Sequence, residues 1–269
     1  MAEISLAIAG VAGRMGRELA RAIIDAPGLK LVGGSERPGA PFIGHSIGEL
    51  AGASAPGLSV TESPEVAAMT ADGWIDFTTP IATLAALDLL KETKVKFAII
   101  GTTGIDTAGE AAIHAAANRI AIVRDRNFSL GVNLLAKLVR QAAQALGPDF
   151  DIEILETHHR HKVDAPSGTA LKLGEAAAEG RGETLAHVKL APRDGMPGAR
   201  PKGGIGFAVL RGGGIFGDHD VRFISESEVV SISHHAIDRG LFVRGALAAV
   251  RWVAGKPPGL YTMQDVLGL

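Results

Sequence analysis

Residues 4–26 read ISLAIAGVAGRMGRELARAIIDA, and the order of residue types in this stretch decides the fold. An apolar, strand-like run, Ile4–Ala9, leads through a glycine-rich turn into a helical run, Arg14–Ala26. Glycines follow the strand with the spacing GxxGxxG, a variant of the GxGxxG fingerprint, at Gly10, Gly13 and Gly16. Such glycines let a pyrophosphate approach the backbone, and the helix N-terminus offers free amides and a positive dipole. The stretch therefore predicts a Rossmann-type dinucleotide site.

The alternation of short apolar strands and helical runs continues through the first half of the chain. Strands are expected at Lys30–Gly34, Trp74–Phe77, Phe97–Ile100 and Ile120–Val123, and helices at residues 81–91 and 107–118. Apolar strands separated by helices are typical of a parallel sheet covered on both faces, and right-handed crossovers make it doubly wound. We predict a dinucleotide-binding α/β domain over residues 1–128.

The pattern changes after residue 128. A long helix is expected over Leu130–Leu146 with Ser129 as its N-cap, and a shorter helix after Pro166. Strand-like runs then dominate, at Ile152–Thr157, Val188–Leu190, Gly206–Arg211, Asp220–Ile224 and Val229–His234. These runs predict a mixed or antiparallel sheet, and hence a second, α+β domain over residues 129–238. A last amphipathic helix is expected over Leu241–Ala254.

Composition excludes several classes of protein. The 269 residues are 46% hydrophobic, too many for a disordered chain, and the formal net charge of -2 gives no general attraction to nucleic acid or anionic membranes. The absence of cysteine excludes disulfides, thiolate catalysis and cysteine-based zinc sites. No apolar run reaches the roughly 18 residues of a membrane span, and the N-terminus lacks the features of a signal peptide. We expect a cytoplasmic protein that binds neither nucleic acid nor membrane.

An acidic residue is expected about 20 residues after the glycine loop, where it would bind the adenosine ribose hydroxyls. Glu36 occupies that place, at the end of the second predicted strand, and Arg37 beside it suits a 2′-phosphate. An isolated glycine triplet often only packs a helix on a strand, but strand, helix, acid and arginine in register favour a dinucleotide. The pair predicts that both NADH and NADPH bind, although a Glu–Arg pair is often only a solvated surface.

Two further segments follow predicted strands, at the edge where doubly wound sheets bind their ligands. They are Gly101–Thr102–Thr103–Gly104 and Asp125–Arg126–Asn127–Phe128. The hydroxyl and backbone groups of Thr102 and Thr103 are suited to the nicotinamide ribose or carboxamide. Turn formation explains the same residues equally well.

The run ETHHRHKVDAPSGTA, residues 156–170, concentrates the side chains suited to proton transfer. Histidine exchanges protons near neutral pH, and Arg160 and Lys162 suit an anionic substrate. The Pro–Ser–Gly–Thr that follows is expected to open a helix whose free amides receive a carboxylate.

Two other interpretations of this run stay open. A zinc site is disfavoured because no second histidine pair or carboxylate cluster has ligand spacing, and we predict no metal. In a solvated basic strand, His158 and Arg160 would face one side, and His159 and His161 the other. Some of these residues would then be structural, His161 first among them. His234–His235 and Gly212–Gly214 are expected to pack or turn.

Several motifs together give the chain a specific resemblance to a known family. GVAGRMGRE, the Glu36–Arg37 pair, IDFTTP, IIGTTG, NFSLGVN and above all HHRHKVDAPSGTA resemble the bacterial 4-hydroxy-tetrahydrodipicolinate reductases, also called dihydrodipicolinate reductases. The resemblance implies reduction of a small cyclic unsaturated dicarboxylate with NADPH or NADH, in lysine and diaminopimelate biosynthesis. It also implies a homotetramer, a first domain completed by residues 239–269, and a middle domain for substrate binding and oligomerisation.

The resemblance also implies roles for individual residues. The pyrophosphate loop would be Gly10, Val11, Ala12, Gly13, Arg14 and Met15, with Glu36 and Arg37 at the adenosine end. The nicotinamide end would involve Gly101, Thr102, Thr103, Asp125, Arg126, Asn127 and Phe128. His158 and Lys162 would transfer protons, and the substrate would be bound by His159, Gly168 and Thr169. The family commonly has a small residue or proline before the Asn–Phe–Ser stretch, so the charges of Asp125 and Arg126 are expected to alter cofactor preference.

Two other functions are consistent with the residues alone. A different two-domain Rossmann dehydrogenase, such as an amino-acid dehydrogenase, would share the plan, but the HHRHKVDAPSGT run argues against it. A non-catalytic nucleotide sensor would bind NADPH and leave the proton-transfer cluster without a purpose.

Overall fold

The computed structural model describes residues 3–269, so the first two residues of the predicted first domain lie outside the described part. The chain forms two compact units. The first unit contains the described residues up to Phe128 together with Phe242–Gly268, and the second contains Ser129–Leu241. Within residues 3–269, no helix is both long enough and apolar enough to cross a membrane.

Strands and helices alternate in the first unit and segregate in the second. The strands are β1 (Ile4–Ala9), β2 (Leu29–Ser35), β3 (Gly73–Asp76), β4 (Phe97–Ile100), β5 (Ala121–Arg124), β6 (Asp151–His158), β7 (Ile205–Arg211), β8 (Gly217–Ile224), β9 (Val229–Ala236) and β10 (Gly259–Tyr261). The helices are α1 (Arg14–Asp25), α2 (Ile47–Ala51), α3 (Pro64–Ala68), α4 (Pro80–Leu89), α5 (Thr107–Ala116), α6 (Leu130–Leu146), α7 (Gly168–Gly180), α8 (Leu185–Val188), α9 (Gly240–Val253) and α10 (Met263–Leu267).

The sheet of the first unit is parallel throughout, with the strand order β10-β5-β4-β3-β1-β2. Leu6, Ile8 and Ile75 have no exposed surface, as expected for strands covered on both faces. Burial of each such side chain contributes about 1.5–3 kcal/mol to folding. After the second unit the chain returns to this sheet, where Gly259–Tyr261 pairs with Ala121–Val123. The predicted Rossmann-like parallel fold is confirmed.

The second unit is built on a four-stranded mixed sheet with the order β7-β6-β8-β9, in which only the β6–β7 pairing is parallel. One face of this sheet packs against α6 and α7. Along β6, Ile152 and Ile154 point into that core, and Glu156 and His158 continue the same face. The helix-covered face therefore changes from apolar to polar at the carboxyl end of β6. This change positions the candidate site, and the mixed sheet itself confirms the predicted second fold.

The strand predicted at Val188–Leu190 is wrong. Val188 ends α8, and Lys189 forms only an isolated bridge with Ile205. Leu185 and Val188 both pack against the core of the second unit, and their spacing of three residues suits a helical turn. A short apolar run does not distinguish the helical period from the strand period, so the sequence favoured the incorrect one.

Candidate active site

Glu156 lies at the polar end of β6 with no exposed surface. An ionised carboxylate is stable in such a place only when it is paired and hydrogen-bonded. Arg211, opposite His158 on β7, donates from Nη1 to Oε2 at 2.7 Å and from Nη2 to Oε1 at 2.8 Å. The Ser167 amide also donates to Oε1, at 2.9 Å. Burial acts to raise the pKa of Glu156, but bonds from Arg211, His158 and Ser167 outweigh it and hold that pKa below its usual value.

His158 ends β6, with its Nδ1 atom 2.6 Å from Oε2 of Glu156. Its ring makes an edge contact with the ring of His219, and the centroids are 5.2 Å apart. Ser167 accepts a bond from the Ala170 amide as the N-cap of α7, and its hydroxyl lies 3.0 Å from Nε2 of His219. Burial and the neighbouring His158 lower the pKa of His219 to about 3, so His219 is neutral near physiological pH.

The chain leaves the sheet immediately after His158. The His159 amide donates to the carbonyl of Ile215, and the Lys162 amide donates to the carbonyl of His159, which closes a turn. The alternative interpretation of this run as a basic strand, with His158 and Arg160 on one face and His159 and His161 on the other, is therefore wrong. The physical reason lies in β7, the neighbouring strand, which ends at Arg211 and gives way to the glycine turn Gly212–Gly214.

Positive charge collects around this turn. Burial, Arg239 and the neighbouring histidines and Lys162 lower the pKa of His159. The Lys162 ammonium is ion-paired with Asp164 at 2.8 Å, and its side chain is 21% exposed. Gly168 and Thr169 are the first two residues of the 13-residue helix α7, and nothing lies within 4 Å of the position of a Cβ on Gly168. Helix amides beside cationic side chains are suited to a carboxylate ligand.

The glycines of the first unit's loop allow close packing against neighbouring groups. Gly10 has a φ of 63°, and a Cβ there would lie 2.8 Å from Cγ2 of Thr78. A Cβ on Gly16 would overlap the backbone of Gly10, so α1 approaches β1 closely only because this residue is glycine. Gly13, the N-cap of α1, brings no side chain to the first helical turn, which also lacks acidic residues. A glycine turn at a helix N-terminus that lacks acidic residues is chemically suited to a phosphate group.

The adenosine-end residues follow β2. The Ala12 amide donates to Oε1 of Glu36 at 3.0 Å, which fixes the half-buried carboxylate beside the loop. Arg37 is exposed. Arg14 is exposed, Met15 is half-buried, and the side chains of Val11 and Ala12 are buried. Because the side chains of Val11 and Ala12 are buried, these two residues would contact a ligand mainly through their backbone groups.

A buried carboxylate ties together the ends of β3 and β4. Asp76 has no exposed surface, and its Oδ1 accepts bonds from the Thr78 amide and from the hydroxyls of Thr78 and Thr102. Burial raises the pKa of Asp76 above its ordinary value. The Thr102 hydroxyl also accepts a bond from Thr83 at 2.8 Å, so it belongs to this internal network. Of the predicted threonine pair, Thr103 is the exposed member.

Residues 125–128, which follow β5, are held in place by hydrogen bonds and by aromatic packing. The Asp125 carboxylate accepts bonds from the Asn127 and Met263 amides, and Arg126 is exposed. Phe128 is buried, with its ring 5.1 Å from that of Phe77 in an edge contact. A Cβ on Gly101 would overlap the Phe77 ring, so this glycine permits the aromatic packing under the predicted nicotinamide end.

Comparison with known proteins places the chain in a family. A family model described as "Dihydrodipicolinate reductase, N-terminus" matches residues 4–128, and one described as "Dihydrodipicolinate reductase, C-terminus" matches residues 131–267. The chain belongs to the dihydrodipicolinate reductase family.

Relatives of the whole length support the assignment to dihydrodipicolinate reductases. The 4-hydroxy-tetrahydrodipicolinate reductase of Parvibaculum lavamentivorans is 53% identical over 100% of this chain and 99% of the relative. That of Brucella abortus is 51% identical over 99% of both chains. A solved structure, the dipicolinate-bound dihydrodipicolinate reductase from Paenisporosarcina sp. TG-14, is 25% identical, covers 98% of both chains, and superposes with a TM-score of 0.74.

Three side chains near the histidine–lysine run of this reductase were not predicted from the sequence. They are Arg211, which pairs with Glu156; His219, which packs on His158; and Arg239, whose charge acts on His159. Arg211 ends an otherwise apolar predicted strand, which was the one available signal. Within residues 3–269, no group of three or more His, Cys, Asp or Glu residues is arranged to hold a metal ion.

Proposed function

We propose that this protein reduces 4-hydroxy-tetrahydrodipicolinate to tetrahydrodipicolinate with NADPH or NADH, in lysine and diaminopimelate biosynthesis. Full-length relatives at about half identity carry that activity in their names. The observation that carries the proposal is the polar end of β6, where a buried, hydrogen-bonded His158 adjoins a cationic turn and the start of α7. This combination is suited to proton transfer to an anionic substrate.

The first unit is the proposed cofactor domain. The Gly10–Met15 loop would hold the pyrophosphate, Glu36 the adenosine ribose, and Arg37 the 2′-phosphate of NADPH. Gly101, the Thr102 backbone, Thr103 and residues 125–128 would border the nicotinamide. A reduced nicotinamide, when bound, supplies the hydride. This chain's own residues would orient the cofactor: the glycines would let its phosphates approach the backbone, and the amides at the start of α1 would stabilise their charge.

The second unit is the proposed substrate domain. His159, Gly168 and Thr169 would bind the carboxylates of a small dicarboxylate, and the positive charges of Lys162 and Arg239 favour it. The bound dipicolinate of the solved relative is a ligand of this class. Lys162 would donate the proton to the ring nitrogen as negative charge develops there, and His158 would exchange a proton in support.

We further propose a cytoplasmic homotetramer assembled through the second unit. Support comes from two exposed apolar side chains on the edge strands of the mixed sheet, Leu210 on β7 and Val229 on β9, which are 54% and 56% exposed. Light scattering after size-exclusion chromatography tests the assembly. A mass of four chains is expected, and a monomer at micromolar concentration would contradict it.

The activity is tested by following oxidation of NADPH, and separately of NADH, with substrate generated from pyruvate and aspartate semialdehyde by a coupling synthase. Turnover with at least one cofactor is expected, and the ratio of the two kcat/KM values gives the preference. Omission of the synthase is the control. Cofactor binding without turnover on this substrate would refute the proposed reaction and leave the fold assignment intact.

A further inference from the structure

Glu156 touches the proposed proton-transfer residue without being accessible to a substrate. Its side chain has no exposed surface, and it reaches Nδ1 of His158 at 2.6 Å. Any effect of Glu156 on the reaction is therefore exerted through the groups that it binds, and His158 is the one of them with a proposed proton-transfer role. The proposed function assigns no role to Glu156, although both oxygens of its carboxylate are hydrogen-bonded.

The hydrogen bonds of Glu156 determine which histidine nitrogen carries the proton. Oε1 accepts from the Ser167 amide and Nη2 of Arg211, and Oε2 accepts from Nη1 of Arg211. Arg211 is always protonated and keeps the carboxylate ionised, so Glu156 can only accept hydrogen bonds. A close contact between Oε2 and Nδ1 then requires a proton on Nδ1 of His158.

The other ring nitrogen faces glycine. A Cβ on Gly217, at the start of β8, would lie 2.8 Å from Nε2 of His158. Any other residue at position 217 would therefore crowd Nε2. The ring is fixed on its Nδ1 side by charge and left uncrowded at Nε2 by a glycine.

We propose that Glu156 and Arg211 form a positioning pair that holds the proton of His158 on Nδ1 and leaves Nε2 as the atom that exchanges a proton with the substrate. The part concerning the substrate rests on the proposed function. The pair carries no net charge, because Arg211 compensates the carboxylate. Its effect on His158 is thus mainly to fix the tautomer and the orientation, as partners of functional histidines commonly do.

The first test needs no variant. Protein labelled with a nitrogen isotope in histidine is examined by NMR at a pH where His158 is neutral, and the His158 signals are assigned with His158→Gln. We expect the proton on Nδ1, with Nε2 unprotonated. A neutral ring protonated on Nε2 would overturn the proposal. This result is independent of turnover, so it stays decisive even if the reductase activity is not found.

The second test is Glu156→Gln, because an amide cannot satisfy every donor around it. Its oxygen is expected at the Oε1 position, where the Ser167 amide and Arg211 both donate, which turns the NH₂ group toward Nδ1 of His158. The ring would then accept at Nδ1 and carry its proton on Nε2. We expect kcat to fall by roughly 100-fold or more, as wrong tautomers do in other histidine-dependent enzymes, with KM changed by less than about threefold.

Glu153→Gln is the matched control. Glu153 lies on the same strand, on the opposite face, and is also paired with two arginines, Arg193 and Arg200. It should keep the wild-type tautomer and a kcat within about threefold of wild type. The proposal fails if Glu156→Gln keeps both the Nδ1 proton and near-wild-type kcat, or if kcat falls while the tautomer stays unchanged. Should Glu156→Gln not fold, the wild-type tautomer still decides.

Discussion

Lys162 is held by Asp164 and remains partly exposed, so its ammonium is oriented and still able to reach a ligand. We expect Lys162→Ala to lower kcat by roughly 100-fold or more, because a positioned general acid contributes about 10²–10⁴ to the rate. Binding of NADPH, which the first unit is proposed to hold, should change by less than about twofold. Steady-state kinetics and fluorescence titration measure the two quantities. Lys94→Ala, an exposed lysine of the first unit, is the control. Near-wild-type turnover would remove Lys162 from the proposed acid role.

Arg37 is exposed beside Glu36, whose carboxylate is already bound by the Ala12 amide. Replacement of Arg37 by alanine should raise the Kd for NADPH about tenfold or more, since one charge-assisted bond to the 2′-phosphate is lost. The Kd for NADH should stay nearly constant. Calorimetry on the variant and on Arg21→Ala, an exposed arginine of α1, makes the comparison. Equal losses for the two cofactors would argue against a phosphate contact.

Two glycines at the starts of helices differ in their surroundings, which gives a test of helix packing. In Gly16→Ala the new Cβ would lie 2.7 Å from Cα of Val11 and would overlap the backbone of Gly10, so α1 must move. We expect the free energy of unfolding to fall by about 1–3 kcal/mol, and NADPH to bind more weakly. In Gly168→Ala the Cβ enters open space, and the change should stay within about 0.5 kcal/mol. Urea denaturation of both variants measures the difference, and equal stabilities would contradict the packing role of Gly16.

Elements with a clear period and a clear cap were predictable from the sequence. Helix α6 has the predicted bounds, Leu130–Leu146, and Ser129 caps it by accepting the Val132 amide at 3.2 Å. The four-residue helix α8 was not predictable, because two apolar positions cannot define a period. The strand predicted over Ile152–Thr157 agrees with β6 to within one residue at each end. The sequence did not show that β6 pairs with β7, a strand far away in sequence. Local signals predict elements and caps, whereas the pairing of strands depends on the rest of the chain.

The pH dependence of stability belongs to the whole molecule, and His219 contributes to it below pH 6.5. Its pKa is lowered from 6.5 to about 3 in the folded state, so below pH 6.5 the unfolded chain takes up a proton that the folded chain refuses. Stability should therefore fall as pH falls from 6.5 toward 3, by about 1.4 kcal/mol per pH unit from this group. Unfolding at pH 7 and pH 5 should show a smaller loss in His219→Gln than in wild type. His187→Gln, an exposed histidine on α8, should behave as wild type. An unchanged loss in His219→Gln would contradict the assignment.

Fold class and family were accessible from the sequence, while much of the site's electrostatics was not. The glycine motif and the histidine–lysine run are each a continuous stretch of sequence, so they could be recognised without a structure. The partners of those residues are not contiguous: Arg211 reaches Glu156 from another strand, and Asp76 binds Thr102 from a neighbouring strand end. Such pairs depend on strand register and sheet order, which periodicity alone does not determine.

The return of β10 to the sheet of the first unit has a consequence for biosynthesis. The ribosome makes β1–β5 early, but β10, which covers the edge of β5, is made only after the entire second unit. While the second unit is being translated, the nascent first unit carries an uncovered parallel edge, a surface that pairs readily with other chains. A nonsense codon between α9 and β10 would make that exposure permanent. Quality-control proteases should then recognise the truncated product through its first unit. The strands of that unit are encoded mainly near the start of the message, whereas the deletion lies near its end.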